Sequence, residues 1–320
     1  MKFLALFFLY IINFWAHGQN LSGITMHPDT SFNTISAFLQ VSKTHPEAEI
    51  VGEFSNSNVK EIRAIVYHSI GKRDLTLDAF YPQENSNGIS ILILHGGGWR
   101  SGNRLQHLPM AQKLAARGYT CFTAEYRLST EALFPAAVID TKNALRWIKN
   151  NTHLFGQNPE KIVICGFSAG AQLATLVATL GSNNVFEDQQ ESLGEIKLAA
   201  VVNIDGILAF IHPESGEGDD TKGISAATNW VGYSKSENPN LWNQASALNW
   251  VNKDCPPTLF LNSSVERMHA GRNDFIKILS SYGIYHEVKS FDNSPHTFIL
   301  FEPWFSASID FIDNFLKKVI

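Results

Sequence analysis

The chain has 320 residues, 44% apolar and 17% charged, the composition of a soluble globular protein, and no linker rich in Pro, Gly or Ser separates two cores. At this length one large domain buries roughly 75% of the surface of its unfolded chain. The formal charge of -5 leaves no basic footprint, which excludes nucleic acid as an expected partner.

In chain order, Lys2 is followed by an apolar run from Phe3 to Ile12 and then by Ala16-His17-Gly18, a small-x-small pattern. This is the layout of a signal peptide over residues 1–18, cleaved after Gly18, and it predicts export to the periplasm or the medium. The run is shorter than the roughly 20 apolar residues of a spanning helix, so no membrane insertion is expected after cleavage. Residues 19–58 are polar and weakly patterned, and read as an N-terminal extension of a domain over 59–320. Alternation through Ile62, Ala64, Val66, Leu75, Leu77 and Ala79 around Gly71-Lys72 predicts an antiparallel hairpin.

From there the rhythm changes. Residues 89–94 form a continuous apolar run, as in a strand covered on both faces. Helical spacing follows at 107–117, then a strand at 121–126, a helix at 136–149, a strand at 161–166, a helix at 172–180 and a strand at 198–204. Residues 207–253, with scattered Gly and Pro and with Trp230, Trp242 and Trp250, break the pattern and read as an inserted cap. Strands at 258–262 and 287–291 and a helix at 305–319 complete it. The alternation implies an α/β fold with a mostly parallel sheet and helices on both faces. The cysteines are Cys121, Cys165 and Cys255; an odd count leaves at least one thiol free, and they read as small buried core residues.

Three motifs carry chemistry. Gly166-Phe167-Ser168-Ala169-Gly170 is G-x-S-x-G between a predicted strand and a predicted helix, the placement that projects a serine hydroxyl from a strained turn. His95-Gly96-Gly97-Gly98-Trp99 ends an earlier strand, and its glycines expose backbone N–H groups suited, with the amide of Ala169, to a developing oxyanion. It lacks the spacing of a phosphate-binding loop, and His95 reads as an anchor of the loop. Ser294-Pro295-His296-Thr297-Phe298 follows the last strand, where a base for Ser168 is required. His286 begins that strand and is the weaker candidate. No clustered ligand spacing suggests a metal, and neither a metal nor an organic cofactor is expected.

With these residues in view, the chain resembles the hormone-sensitive-lipase-like and feruloyl or acetyl-xylan esterase branch of the α/β-hydrolases. The likeness runs over about residues 60–318, through Tyr126-Arg127-Leu128, Phe134-Pro135-Ala136, Asp140, Ala144-Leu145-Arg146-Trp147 and Pro256-Pro257-Thr258-Leu259. It implies Ser168 as nucleophile, His296 as general base, and Gly97, Gly98 and Ala169 as oxyanion donors. The chain departs from the branch where a His-Gly pair and then an Asp usually follow the next-to-last strand. Here the text is Asn262-Ser263-Ser264-Val265-Glu266-Arg267, which puts Glu266 at the acid's place, with Asp274 in reserve. Arg267 could instead engage Glu266 as a surface pair, and His269 lies too close to the candidate acid to be placed.

Export and the resemblance together point to a polysaccharide or oligosaccharide ester, acetyl or feruloyl, as the substrate. Trp99 is the candidate substrate-binding residue, and Trp230, Trp242, Trp250 and Trp304 offer either sugar-binding faces or core packing. A short-chain lipase or carboxylesterase, an amide hydrolase resembling the kynurenine formamidases, and an inactive hydrolase-fold binding protein stand as alternatives.

Overall fold

A computed structural model describes residues 18–181, 183, 185–187 and 197–320, so the leader expected over residues 1–18 lies outside them except for Gly18. The region expected as an extension holds helix α1 (Thr34–Val41) and strand β1 (Glu49–Ile50). Asn33 caps α1, accepting from the Ser36 N–H while the Ser36 side chain accepts from the Asn33 N–H. The expected hairpin is present as β2 (Val59–Ile70) and β3 (Arg73–Pro82), reversing at Gly71-Lys72. Then come β4 (Ser90–Leu94), α2 (Leu108–Ala115), β5 (Thr120–Ala124), α3 (Ala136–Asn151), β6 (Ile162–Phe167), α4 (Ala169–Leu180) and β7 (Ala200–Ile204). The chain closes with α5 (Ala226–Val231), α6 (Pro239–Ala245), β8 (Thr258–Asn262), α7 (Arg272–Ser281), β9 (His286–Ser290), β10 (Phe301–Glu302) and α8 (Trp304–Val319).

The main sheet has eight strands in the order β2-β3-β5-β4-β6-β7-β8-β9. The two pairings of β3 are antiparallel, and every pairing from β5 through β9 is parallel. The short apolar runs read from the sequence are the central strands, buried at every position from β4 to β8. Their side chains alternate between two cores. Leu92, Leu94, Ile162, Ile164, Val201 and Phe260 face α3 and α4. Ile91, Ile93, Val163, Cys165, Val202, Leu259 and Leu261 face α2 and α8. All three cysteines are buried, as expected, and all three are free thiols.

Residues 207–253 pack into the first core. Ile207, Leu208, Phe210, Trp230, Val231 and Trp242 belong to the same apolar cluster as Leu173 and Leu176 of α4. Among the described residues, no helix is long and apolar enough to cross a membrane.

Candidate active site

The site lies where β6 and β7 end side by side, with Phe167 in register with Ile204. Ser168 follows β6 at φ +54° and ψ -118°, a backbone state that costs a residue of this kind about 1–3 kcal/mol and persists only when its surroundings impose it. The Ser168 N–H donates to the Ile204 carbonyl (2.9 Å), and its own carbonyl accepts from Gln172 (2.9 Å). A β-carbon on Gly166 would lie 2.2 Å from the Gly170 oxygen, and one on Gly170 would lie 2.4 Å from the Leu94 oxygen. Both glycines are therefore dictated by the close approach of helix to strand, as the motif reading required.

His296 comes from the loop after β9. Its Nε2 lies 2.8 Å from Ser168 Oγ, and its Nδ1 lies 2.7 Å from Oδ2 of Asp205. An ionised carboxylate only accepts, so the proton of a neutral His296 sits on Nδ1 and Nε2 is free to accept from the serine. Asp205 directly follows β7, is fully buried, and donates its N–H to the Leu261 carbonyl. Ser263 reaches the carboxylate with its N–H (2.9 Å to Oδ1) and its hydroxyl (2.5 Å to Oδ2). Burial alone would raise the Asp205 carboxyl. Hydrogen bonds from His269, His296 and Ser263 outweigh it and hold the group below the ordinary carboxylate range, so it stays ionised.

The acid expected after β8 is thus corrected. Glu266 opens the 3₁₀ turn Glu266–His269 with its side chain exposed, and no hydrogen bond joins it to His296. Arg267 pairs with Glu217 (3.1 Å) rather than with Glu266. The reserve candidate Asp274 is on α7, half-exposed, and bound to His212 (3.2 Å) and Lys277 (2.7 Å). A sequence signal for Asp205 existed: an Asp at the end of an apolar run, followed by Gly206, one strand over from the serine turn.

The glycine loop stands on the other side of Ser168. Gly97 has φ +127° and Gly98 φ +59°. The Gly97 carbonyl accepts from the N–H groups of Arg100 (3.1 Å) and Ser101 (3.0 Å), and a β-carbon there would lie 2.2 Å from the Ser101 oxygen. The Gly96 N–H donates to Gln106 Oε1 (2.8 Å), and Tyr126 donates its hydroxyl to the His95 carbonyl (2.8 Å) while stacking on the His95 ring. Burial lowers the pKa of His95 to about 4, so it stays neutral and anchors the loop, as expected. The N–H groups of Gly97, Gly98 and Ala169 donate to no protein acceptor among the described residues.

Trp99, expected to face substrate, is instead buried. Its ring stacks on Trp230 at 4.8 Å, and its Nε1 donates to Gln172 Oε1 (3.0 Å), so it props the loop from behind. Trp230, Trp242 and Trp304 are also buried, which settles them as packing residues, and Trp250 is half-buried. His286 begins β9, with Nδ1 3.0 Å from the Ile284 carbonyl. Among the described residues no group of three or more His, Cys, Asp or Glu side chains is placed to hold a metal ion.

The sequence model of the BD-FAE family matches residues 77–268, more than half of the chain. Esterase LipQ of Mycobacterium tuberculosis is 27% identical over 203 residues, 62% of this chain and 47% of that protein. LipM of the same organism, a probable carboxylic ester hydrolase, is 27% identical over 207 residues, 64% of this chain and 46% of that one. The chain thus spans about half the length of these curated relatives. Among solved structures, a truncated carbohydrate esterase from gut microbiota superposes with a TM-score of 0.70 at 18% identity, covering 83% of this chain and all of that one. Esterase Est2 of Thermogutta terrifontis superposes with a TM-score of 0.66 at 21% identity, covering 82% and 93%. At those identities the likeness establishes the α/β-hydrolase fold.

Proposed function

The chain belongs to the BD-FAE family, and we propose from that premise that it is a serine esterase acting on carboxylic esters through an acyl-enzyme. The observation that carries the reading is the unbroken chain Ser168 Oγ, His296 Nε2, His296 Nδ1 and Asp205 Oδ2, with contacts of 2.8 and 2.7 Å. Ser168 attacks the ester carbonyl while His296 takes its proton, and Asp205 stabilises the imidazolium. The amides of Gly97, Gly98 and Ala169 receive the oxyanion. His296 then protonates the leaving alcohol, and water, activated by the same imidazole, frees Ser168.

The proposed substrate is an acylated polysaccharide or oligosaccharide carrying acetyl or feruloyl groups, reached after export under the N-terminal leader. Likeness to the gut carbohydrate esterase and the leader pattern of residues 1–18 support it; the buried tryptophans do not. The second reading, a short-chain carboxylesterase, is supported by the mycobacterial relatives.

Hydrolysis of 4-nitrophenyl esters by wild type and by Ser168→Ala tests the mechanism, with a fluorophosphonate probe as the covalent readout. Loss of labelling and a fall in kcat of about five to six orders of magnitude are expected in the variant. Labelling that persists without Ser168 would move the nucleophile elsewhere, and a folded wild type inert to both esters and probe would return the chain to the binding-protein reading. Release of acetate or ferulate from acylated xylan separates the two substrate classes, since a short-chain carboxylesterase leaves the polymer intact.

A further inference from the structure

Asp205 serves two histidines. Its Oδ2 is 2.7 Å from His296 Nδ1, and its Oδ1 is 3.0 Å from Nε2 of His269. We propose that His269 is a positioning residue for the reaction centre, its imidazole fixing Oδ1 so that Oδ2 stays turned to His296. The inference rests on the serine-hydrolase reading of Ser168, His296 and Asp205.

The geometry is built for holding. A carboxylate offers only acceptors, so His269 presents Nε2–H to it. The imidazole is largely buried, with 13% of its side chain exposed, at the end of the turn that Glu266 opens. The next residue pins that turn to the sheet end: the Ala270 carbonyl accepts from Leu208 (2.9 Å) and Ala209 (3.2 Å). Without His269, Oδ1 would keep only the Ser263 N–H, and the carboxylate would be freer to turn about its Cβ–Cγ bond.

The other charged groups around His269 stay constant in the comparison below. They are Glu266 and Arg267 on its own turn, Arg272 of α7 bonded to Asn262 (2.7 Å), and Glu214, which accepts from the Gly271 N–H (3.1 Å).

The test compares wild type with His269→Gln, whose amide can donate but does not titrate, and His269→Leu, which fills the space without donating. His269→Leu is expected to lower kcat on 4-nitrophenyl acetate about tenfold with KM unchanged, the size of one lost hydrogen bond to a charged group. His269→Gln should restore kcat to within about twofold of wild type. The Nδ1–H resonance of His296, read by NMR at one fixed pH, should be sharp and far downfield in wild type and in His269→Gln, and broadened or moved upfield in His269→Leu. A wild-type kcat in His269→Leu, equal damage from Gln and Leu, or an identical Nδ1–H resonance in all three proteins would each overturn the proposal. Should the folded wild type turn over no ester, the hydrolase reading falls, and the NMR comparison still judges His269.

Discussion

Ser168 and Asp205 each follow the last residue of a parallel strand, and each sits at φ +54°. Asp tolerates that region better than most residues because its short side chain bonds locally, and here Ser263 and two histidines hold it. Asp205→Asn is expected to lower kcat about ten-thousandfold with the fold intact, because an amide cannot fix the Nδ1–H tautomer of His296 as a carboxylate does. Glu266→Gln, at an exposed position with no bond to His296, is expected to leave kcat within about twofold. The reverse ranking in ester assays would reinstate Glu266. Reading the acid from the sequence failed at this scale for a definable reason. The order serine, acid, histidine is met equally by Asp205 and Glu266. Beyond the apolar run that ends at Asp205, what separates them is burial and contact with His296, which depend on neighbouring strands.

At the scale of elements, α4 does more than follow the nucleophile. Gln172 on its first turn accepts from Trp99 Nε1 (3.0 Å) and donates to the Ala245 carbonyl (2.8 Å), tying the glycine loop to α6 through one buried amide. Gln172→Leu keeps the bulk but strands the indole N–H and a carbonyl. Urea melts are expected to show a loss of about 1–3 kcal/mol, and kcat should fall as the loop loses its prop. An unchanged midpoint and rate would mean that Trp99 is held by stacking alone. This bridge was not legible in sequence. A Trp beside three glycines reads equally well as a face for substrate or as a wedge under a loop. The choice was made by Trp230, some 130 residues away, filling the space beside it. The glycine loop and the serine turn were legible, because close backbone approaches admit few residue types.

At the scale of the molecule, the alternation of short apolar runs with helical spacing was enough to foresee the parallel sheet, since strands covered on both faces carry few polar positions. The same interior makes the protein sensitive to acid. His107, packed edge-on to Phe167, is fully enclosed like His95, and burial lowers its pKa to about 3. Both imidazoles titrate near 6.5 in the unfolded chain, so their folded values are depressed and the unfolded state binds the extra protons. Their contribution is present above about pH 6.5 and is lost as pH falls toward the folded values, at about 1.4 kcal/mol per pH unit for each. Below the ordinary aspartate range, protonation of Asp205 adds to the loss. Urea midpoints at about pH 7, 6 and 5 should decline accordingly, and His107→Phe should flatten the decline by removing one of the two depressed imidazoles, at a position where Nε2 has no hydrogen-bond partner to lose. A flat profile in wild type would show that water reaches these rings.

Seating the carboxylate on β7 alters how ancestry and decay are to be told apart in chains of this kind. A census that sorts hydrolases into working and derelict copies by the residue after β8 would file this one as derelict, since Ser263 and Ser264 stand there beside an outward Glu266. What the β8 loop keeps is a supporting part: Ser263 and His269 hold the Asp205 carboxylate from it, while Glu266 between them touches neither. Substitution should therefore be tolerated at Glu266 and not at Asp205, the inverse of what alignment by position would teach.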